Sequence, residues 1–203
     1  SGCIFLRTVF IPKSVTQIGE NAFERCVYGV GEDNESFQIQ FEGGSLLNEI
    51  GKNAFSSSNL HEVELPLYVT SIGEGAFSKC SNLKKVTFPD AIDTLTTLEK
   101  GVFFKCKKLK EFQIPKSVES IGNSTFAKSG LTQITFPENI KSIGERAFEN
   151  CPLIKITFQG NPTYDEIKDA FTNMTTVPQI TCIKNPVIAD RLRTEMVLPV
   201  TAA

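Results

Sequence analysis

The residues able to do acid–base, nucleophilic or metal chemistry are few here and poorly grouped for it. His61 is the single histidine, in "LHEVELP", with Glu62 beside it and Glu64 two positions further on. An imidazole near two carboxylates would suit a general base or a metal site. Either use needs further donors at ligand spacing, and none follow. His61 is therefore read as a solvated histidine flanking a strand. The six cysteines could supply nucleophiles, but one histidine gives a thiolate little chance of a base. Cys26, Cys80, Cys106 and Cys151 each come three residues after a phenylalanine. That recurrence suits a small apolar filler, so buried free thiols are expected, with a Cys80–Cys106 disulfide left open by proximity. The acidic run "GEDNES" lacks the ligand spacing of a calcium loop, and no G-x-S-x-G, P-loop or dinucleotide fingerprint is present. The reading is a non-enzymatic protein with no cofactor and no metal.

Composition turns attention to architecture. The 203 residues carry 21 basic and 23 acidic side chains, a net charge of -2. Such a balance creates no whole-molecule field to recruit nucleic acid or an anionic membrane, and no apolar run is long enough to span a bilayer. Sixteen phenylalanines without a tryptophan imply that Phe is used systematically. Self-comparison shows how. "IGENAF" ends at Phe23, "IGKNAF" at Phe55, "IGEGAF" at Phe77 and "IGERAF" at Phe148, with weaker copies ending at Phe103, Phe126 and Phe171. From Phe55 onward the steps are 22, 26, 23, 22 and 23 residues. The longer first step reflects an insertion, "VYGVGEDNES", after Cys26.

A second phrase precedes each Phe: "LHEVELP", "LKKVTFP", "LKEFQIP", "LTQITFP". In residues 131–152, Ile134 and Phe136 alternate with Thr135, which predicts a short strand, and Pro137 ends it because it cannot donate to a ladder. Gly144 supplies a place where a side chain would obstruct the backbone, and Ala147 and Phe148 turn inward. Tandem units of this kind stack into a solenoid, strand beside strand at roughly 4.8 Å, with the phenylalanines forming a spine.

The pattern L-x-x-V-x-F-P…I-G-x-x-A-F-x-x-C resembles the leucine-rich repeats of the BspA-like family of bacterial and protozoan surface proteins. The resemblance runs from Cys3 to about Phe171. It implies an α/β-type repeat, a right-handed leucine-rich-repeat solenoid with a parallel β-sheet on its concave face. Return segments are expected to be mostly irregular or short-helical. Two departures stand out: the repeat at 83–108 carries extra residues in "DAIDTLTTLEKG" and has Glu99 in place of the Gly, and the last unit has Lys168 there. Both predict irregular returns.

The expected organisation is an array of about seven repeats over 1–174 and a capping strand and short helix over 175–203. Cys3-x-x-Leu6 has the form of the repeat junctions Cys80-x-x-Leu83 and Cys106-x-x-Leu109, so the array is expected to be truncated at its N-terminus. An open strand edge around Thr8, Phe10 and Ile11 would then favour self-association. At the other end "PQITC" is read as a last strand and "VIADRLRTEM" as a helix, with Asn185 as N-cap and Pro186 at its first position.

Outward strand positions form two rows: Phe10, Gln40, Glu64, Thr87, Gln113, Thr135, Thr157, and Thr8, Gln38, Glu62, Lys85, Glu111, Gln133, Lys155. The expected partner-binding residues on the concave face are Glu62, Glu64, Lys85, Thr87, Glu111, Gln113, Gln133 and Thr135. Glu62, Lys85 and Glu111 alternate in charge and can pair across rungs. Neither row carries stacked aromatics or the basic stripe that nucleic acid needs. A polar, nearly neutral strip suits a protein partner or a glycan. The family resemblance implies a recognition or adhesion module, displayed on a cell surface or secreted, whose partners are host matrix or cell-surface proteins. The alternative is a passive spacer or accessory glycan-binding array attached to a catalytic domain elsewhere in a longer protein. Asn34, Asn123 and Asn173 begin N-x-S/T triplets, which matter for glycosylation in a eukaryotic secretory source.

Overall fold

The computed structural model describes residues 6–27, 37–174, 177–182, 184 and 186–195. Cys3, the "GEDNES" loop, Asn34 and Asn185 lie outside them. The chain coils into a parallel β-solenoid. One face is built from β1 (Thr8–Ile11), β3 (Gln38–Phe41), β5 (Glu62–Glu64), β7 (Lys85–Thr87), β10 (Gln133–Phe136), β12 (Lys155–Phe158) and β13 (Gln179–Cys182). Two-residue strands mark the return: β2 (Gln17–Ile18), β4 (Glu49–Ile50), β6 (Ser71–Ile72), β8 (Thr97–Leu98), β9 (Ser120–Ile121) and β11 (Ser142–Ile143). Among the described residues the helices lie in the C-terminal part: α1 (Tyr164–Ile167), a 3-10 turn over Lys168–Phe171, and α2 (Pro186–Glu195).

Each turn of the coil follows from its residue types. The middle strand residue points inward, so Val63 pairs with Val86, and Ile134, Ile156 and Ile180 stand in one register. The proline after the strand stops the ladder and starts a tight turn: the carbonyls of Pro12, Pro89, Pro115 and Pro137 accept the N–H groups of Val15, Ile92, Val118 and Ile140. The glycine that follows the short return strand is dictated by contact with the preceding rung. A Cβ on Gly73 would lie 2.7 Å from the backbone nitrogen of Lys52, and one on Gly122 would lie 2.6 Å from that of Lys100. Two residues past that position, and again four residues later, the backbone turns left-handed, as at Asn53 and Ser57 or Arg146 and Asn150.

The phenylalanines form one stacked column. Ring centroids along Phe23, Phe55, Phe77, Phe103, Phe126, Phe148 and Phe171 are 5.3, 5.2, 5.6, 5.4, 5.3 and 5.2 Å apart. All but Phe23, which is half-buried, lie in the core.

The array is not uniform. The return strands divide into β2–β4–β6 and β8–β9–β11. The division falls at Glu99, where the glycine is missing: Gly51, Gly73, Gly122 and Gly144 each donate their N–H to the preceding rung, and Glu99 has no such bond. The strand face divides into β1–β3, β5–β7 and β10–β12–β13. Residues 111–114, in phase with the strands, form no ladder. Phe112 stands there in place of Val or Ile, its ring 4.9 Å from Phe103 and 5.0 Å from Phe126. In the last repeat, where Lys168 replaces the glycine, α1 and the 3-10 turn replace the short return strand. Strand β13 then pairs with β12, and Ile188, Ala189 and Leu192 of α2 join the core.

Candidate functional site

The two outward rows lie on the strand face in register. Thr8 stands beside Gln38 and Phe10 beside Gln40, Glu62 beside Lys85 and Glu64 beside Thr87, and Gln133 beside Lys155 and Thr135 beside Thr157. Inward neighbours hold these side chains out: Val63, Val86 and Ile134 are buried between them. Glu111 and Gln113 are exposed on the rung that forms no ladder. The alternating ion pairs expected along Glu62, Lys85 and Glu111 do not form among the described residues. Glu111 instead accepts a hydrogen bond from the Gln133 side-chain amide at 3.1 Å.

Two open grooves mark the interruptions of this face. One, of about 600 Å³, is lined by Phe10, Gln38, Gln40, His61, Glu62 and Glu64 among others. The second, of about 880 Å³, opens at the rung without a ladder, between Lys85, Thr87, Glu111, Gln113, Gln133 and Thr135. The structure therefore distributes the eight candidate residues between both grooves. Phe10 is 58% exposed, the one aromatic in the two outward rows.

His61 has the surroundings of a strand-flanking residue. Partial burial lowers its pKa, Lys84 and Lys108 lower it further, and Glu62 opposes them. No group of three or more potential metal-binding side chains occurs among the described residues, and no described helix is long and apolar enough to cross a membrane.

Residues 1–127 and 48–177 match the BspA type leucine rich repeat region, in six copies. The chain belongs to the BspA-type leucine-rich-repeat family. No curated protein matches it. Among solved structures it is similar to the pneumococcal vaccine antigen PcpA, with 22% identity and a TM-score of 0.59 over 86% of this chain and 51% of that one. It is also similar to a leucine-rich-repeat protein of T. pallidum, with 19% identity and a TM-score of 0.54 over 96% and 85% of the two chains. A leucine-rich cell surface protein of Faecalibacterium prausnitzii aligns at 21% identity and a TM-score of 0.39, over 91% and 62%. The chain thus spans about half the length of PcpA's solved chain.

In this BspA-type array the cysteines do more than fill volume. Cys80, Cys106 and Cys151 are free and buried, and each thiol donates to the carbonyl of the spine phenylalanine one rung back: Phe55 at 3.0 Å, Phe77 at 3.2 Å and Phe126 at 3.0 Å. Ser58 and Ser129 hold the same slot in their repeats and touch the Cys80 and Cys151 sulfurs at 3.4 and 3.3 Å. Burial pushes the Cys80 and Cys151 thiols up to about 11 and raises Cys106 well above its usual range.

Because the folded-state values are raised, this stabilisation is complete below the unfolded thiol pKa, about 8.5. It is lost as pH rises through about 11. Stability should therefore fall between pH 9 and 11, by roughly 2 kcal/mol for each of Cys80 and Cys151. Urea melts of the wild type and of Cys80→Ser/Cys151→Ser at pH 8 and 10.5 test this. The serine variant should lose less stability over that interval; equal losses would show that these thiols do not titrate on unfolding.

The glycosylation triplets are differently placed. Asn123 is exposed, but its side-chain oxygen accepts the Glu145 N–H at 3.0 Å and Thr125 is buried. Asn173 is exposed and donates to Glu149.

Proposed function

We propose that this chain is a non-enzymatic recognition or adhesion module, displayed on a cell surface or secreted, that binds an extracellular protein of a host matrix or cell surface through its strand face. The observation that carries the reading is the pair of outward polar rows. Glu62, Glu64, Lys85, Thr87, Glu111, Gln113, Gln133 and Thr135 stand on one face, over a rigid buried spine, beside two open grooves. Their amide, carboxylate, hydroxyl and ammonium groups offer directional bonds without a dominant charge. A partner spanning several rungs gains specificity from register and affinity from the number of rungs engaged. Family membership supports the reading, as does the description of the structural neighbour PcpA as a vaccine antigen. In this reading the segment 175–203 caps the array and leaves the strand face to the partner.

Binding to a panel of purified matrix and cell-surface proteins tests the proposal. A combined Glu64→Lys/Gln113→Lys/Thr135→Lys variant should bind the recognised protein at least tenfold more weakly, about 1.4 kcal/mol, with an unchanged melt. Undiminished binding by the variant, or no binding to any panel member by the wild type, would overturn the reading.

A further inference from the structure

Away from the strand face, seven lysines crowd one corner of the coil, where the return segment turns into the next strand. Lys79, Lys105 and Lys128 hold the second left-handed position of three successive repeats, with φ of 61°, 60° and 61°. Their N–H groups donate to Phe104, Ala127 and Glu149 on the following rungs at 2.6, 2.9 and 2.7 Å. The three therefore follow one another at about the rung spacing, roughly 4.8 Å. Lys107 and Lys108 lie in the turn that follows, and Lys84 and Lys110 just before the inward strand residues Val86 and Phe112.

Elsewhere among the described residues some lysines are ion-paired and others, such as Lys85 and Lys155, are not; this corner differs in gathering seven unpaired ones. Lys52 and Lys100 pair with Glu74, and Lys141 with Glu119. Among the described residues none of the seven corner lysines has an ion-pair partner, and all but the half-buried Lys105 are exposed. With these seven set aside, 14 basic residues face 23 acidic ones in the rest of the chain, so the corner is a basic island on an acidic protein. The depressed pKa of His61, due first to burial and then to Lys84 and Lys108, reports the same local field. Backbone preference adds an independent sign. A left-handed residue favours Gly or Asn; the equivalent sites carry Arg25, Ser57, Asn150 and Asn173, so asparagine occurs at two of these four. Lysine at three consecutive rungs is a choice that local stability does not explain.

We propose that this corner docks a sulfated polysaccharide. A flexible chain with sulfates along its length can follow a column of ammonium groups rung by rung, and lysine serves as a point-charge partner for such groups. Single-stranded nucleic acid would need exposed aromatic platforms; Phe104, the aromatic at this corner, is half-buried and has the Lys105 ammonium 5.2 Å from its ring centre. A membrane would favour apolar side chains among the bases, and none of the exposed large hydrophobic residues lies within 78–85, 103–111 or 126–129.

Immobilised heparin is the probe, with fully desulfated heparin, a single-stranded oligonucleotide and phosphatidylserine vesicles as comparisons. The wild type should bind heparin in preference to all three, with affinity falling as salt rises. Lys79→Asn/Lys105→Asn/Lys128→Asn should weaken binding about tenfold or more while keeping or raising the melting temperature, because asparagine suits the backbone better. Lys84→Gln/Lys108→Gln should also weaken it, and decides the matter if the triple variant does not fold. His61 supplies a direct readout: heparin should raise its pKa by neutralising the lysines beside it. The strand-face variant Glu64→Lys/Gln113→Lys/Thr135→Lys should not weaken heparin binding, which separates this site from the proposed protein-binding face. Heparin affinity within twofold of wild type in the folded lysine variants, equal binding of the oligonucleotide or vesicles, or an unmoved His61 pKa would each overturn the proposal.

Discussion

Replacing Phe77 by alanine is expected to lower stability by about 3–5 kcal/mol. The ring is fully buried and nearly parallel to both neighbours, at 6° to Phe55 and 9° to Phe103. Removing it leaves a gap in the middle of the column. Collapse is the usual way a core reduces such a cost, and here it is restricted. The Phe55 N–H is tied to Ala76 at 2.8 Å and the Phe77 N–H to Val102 at 3.0 Å, so the rungs on either side cannot close without breaking backbone bonds. Nearest-neighbour coupling adds a second signature: an array interrupted at its centre should unfold over a broader range, as its halves begin to melt separately. Phe23, half-buried at the first described rung, stacks on Phe55 and touches Phe37, and its replacement should cost less. Urea melts of Phe77→Ala and Phe23→Ala decide this. A loss below about 1 kcal/mol for Phe77→Ala would show that the column does not carry the stability of the array.

The spine was legible because every repeat states it again. Seven phenylalanines, evenly spaced from Phe55 onward and all but Phe171 followed three residues later by a cysteine or serine, admit few alternatives to a stack. The broken return sheet was partly legible too, since Glu99 interrupts the glycine series and the interruption in pairing falls there. The missing ladder at 111–114 was not. Phe112 fits the local phrase as well as Val86 or Ile134 does, and phenylalanine is a good strand residue. What distinguishes this rung is the packing of that ring against Phe103 and Phe126, a tertiary quantity that no pattern within one repeat contains. The ion pairs expected on the strand face failed for a related reason: exposed charges on a wet surface gain little from pairing, and the Gln133 amide takes Glu111 instead. The lysine corner lies off the strands, outside the alternation that marks outward positions. "KCKKLK" is plain in the sequence, but its meeting with Lys79 and Lys128 depends on left-handed turns that the repeat pattern does not mark in lysine.

Gly122→Ala should be among the most damaging single-methyl changes in the protein, costing about 3 kcal/mol or more, whereas Gly19→Ala should be neutral or slightly stabilising. The two glycines occupy equivalent places in the repeat and differ only in what lies behind them. A Cβ on Gly19 meets nothing within 4 Å, while one on Gly122 would sit 2.6 Å from the Lys100 nitrogen and 2.8 Å from the Glu99 carbonyl carbon. Those atoms are backbone and cannot rotate aside, so the rungs must separate, and the Gly122 N–H would lose its 2.7 Å bond to Leu98. The array already contains the outcome of such a change. At Glu99 the side chain is present, the corresponding bond to Ile72 is missing, and β6 and β8 fall in different sheets. Extra residues before Glu99 let that repeat accommodate the separation; the repeat around Gly122 has none. At Gly19 the methyl only restricts the unfolded chain, which favours folding by a fraction of a kcal/mol. Melts of both variants, with hydrogen exchange at residues 120–122, test the contrast. A tolerated Gly122→Ala with the β8–β9 amides still protected, or a Gly19→Ala as costly as its counterpart, would mean that close approach of consecutive rungs is not what the glycine provides.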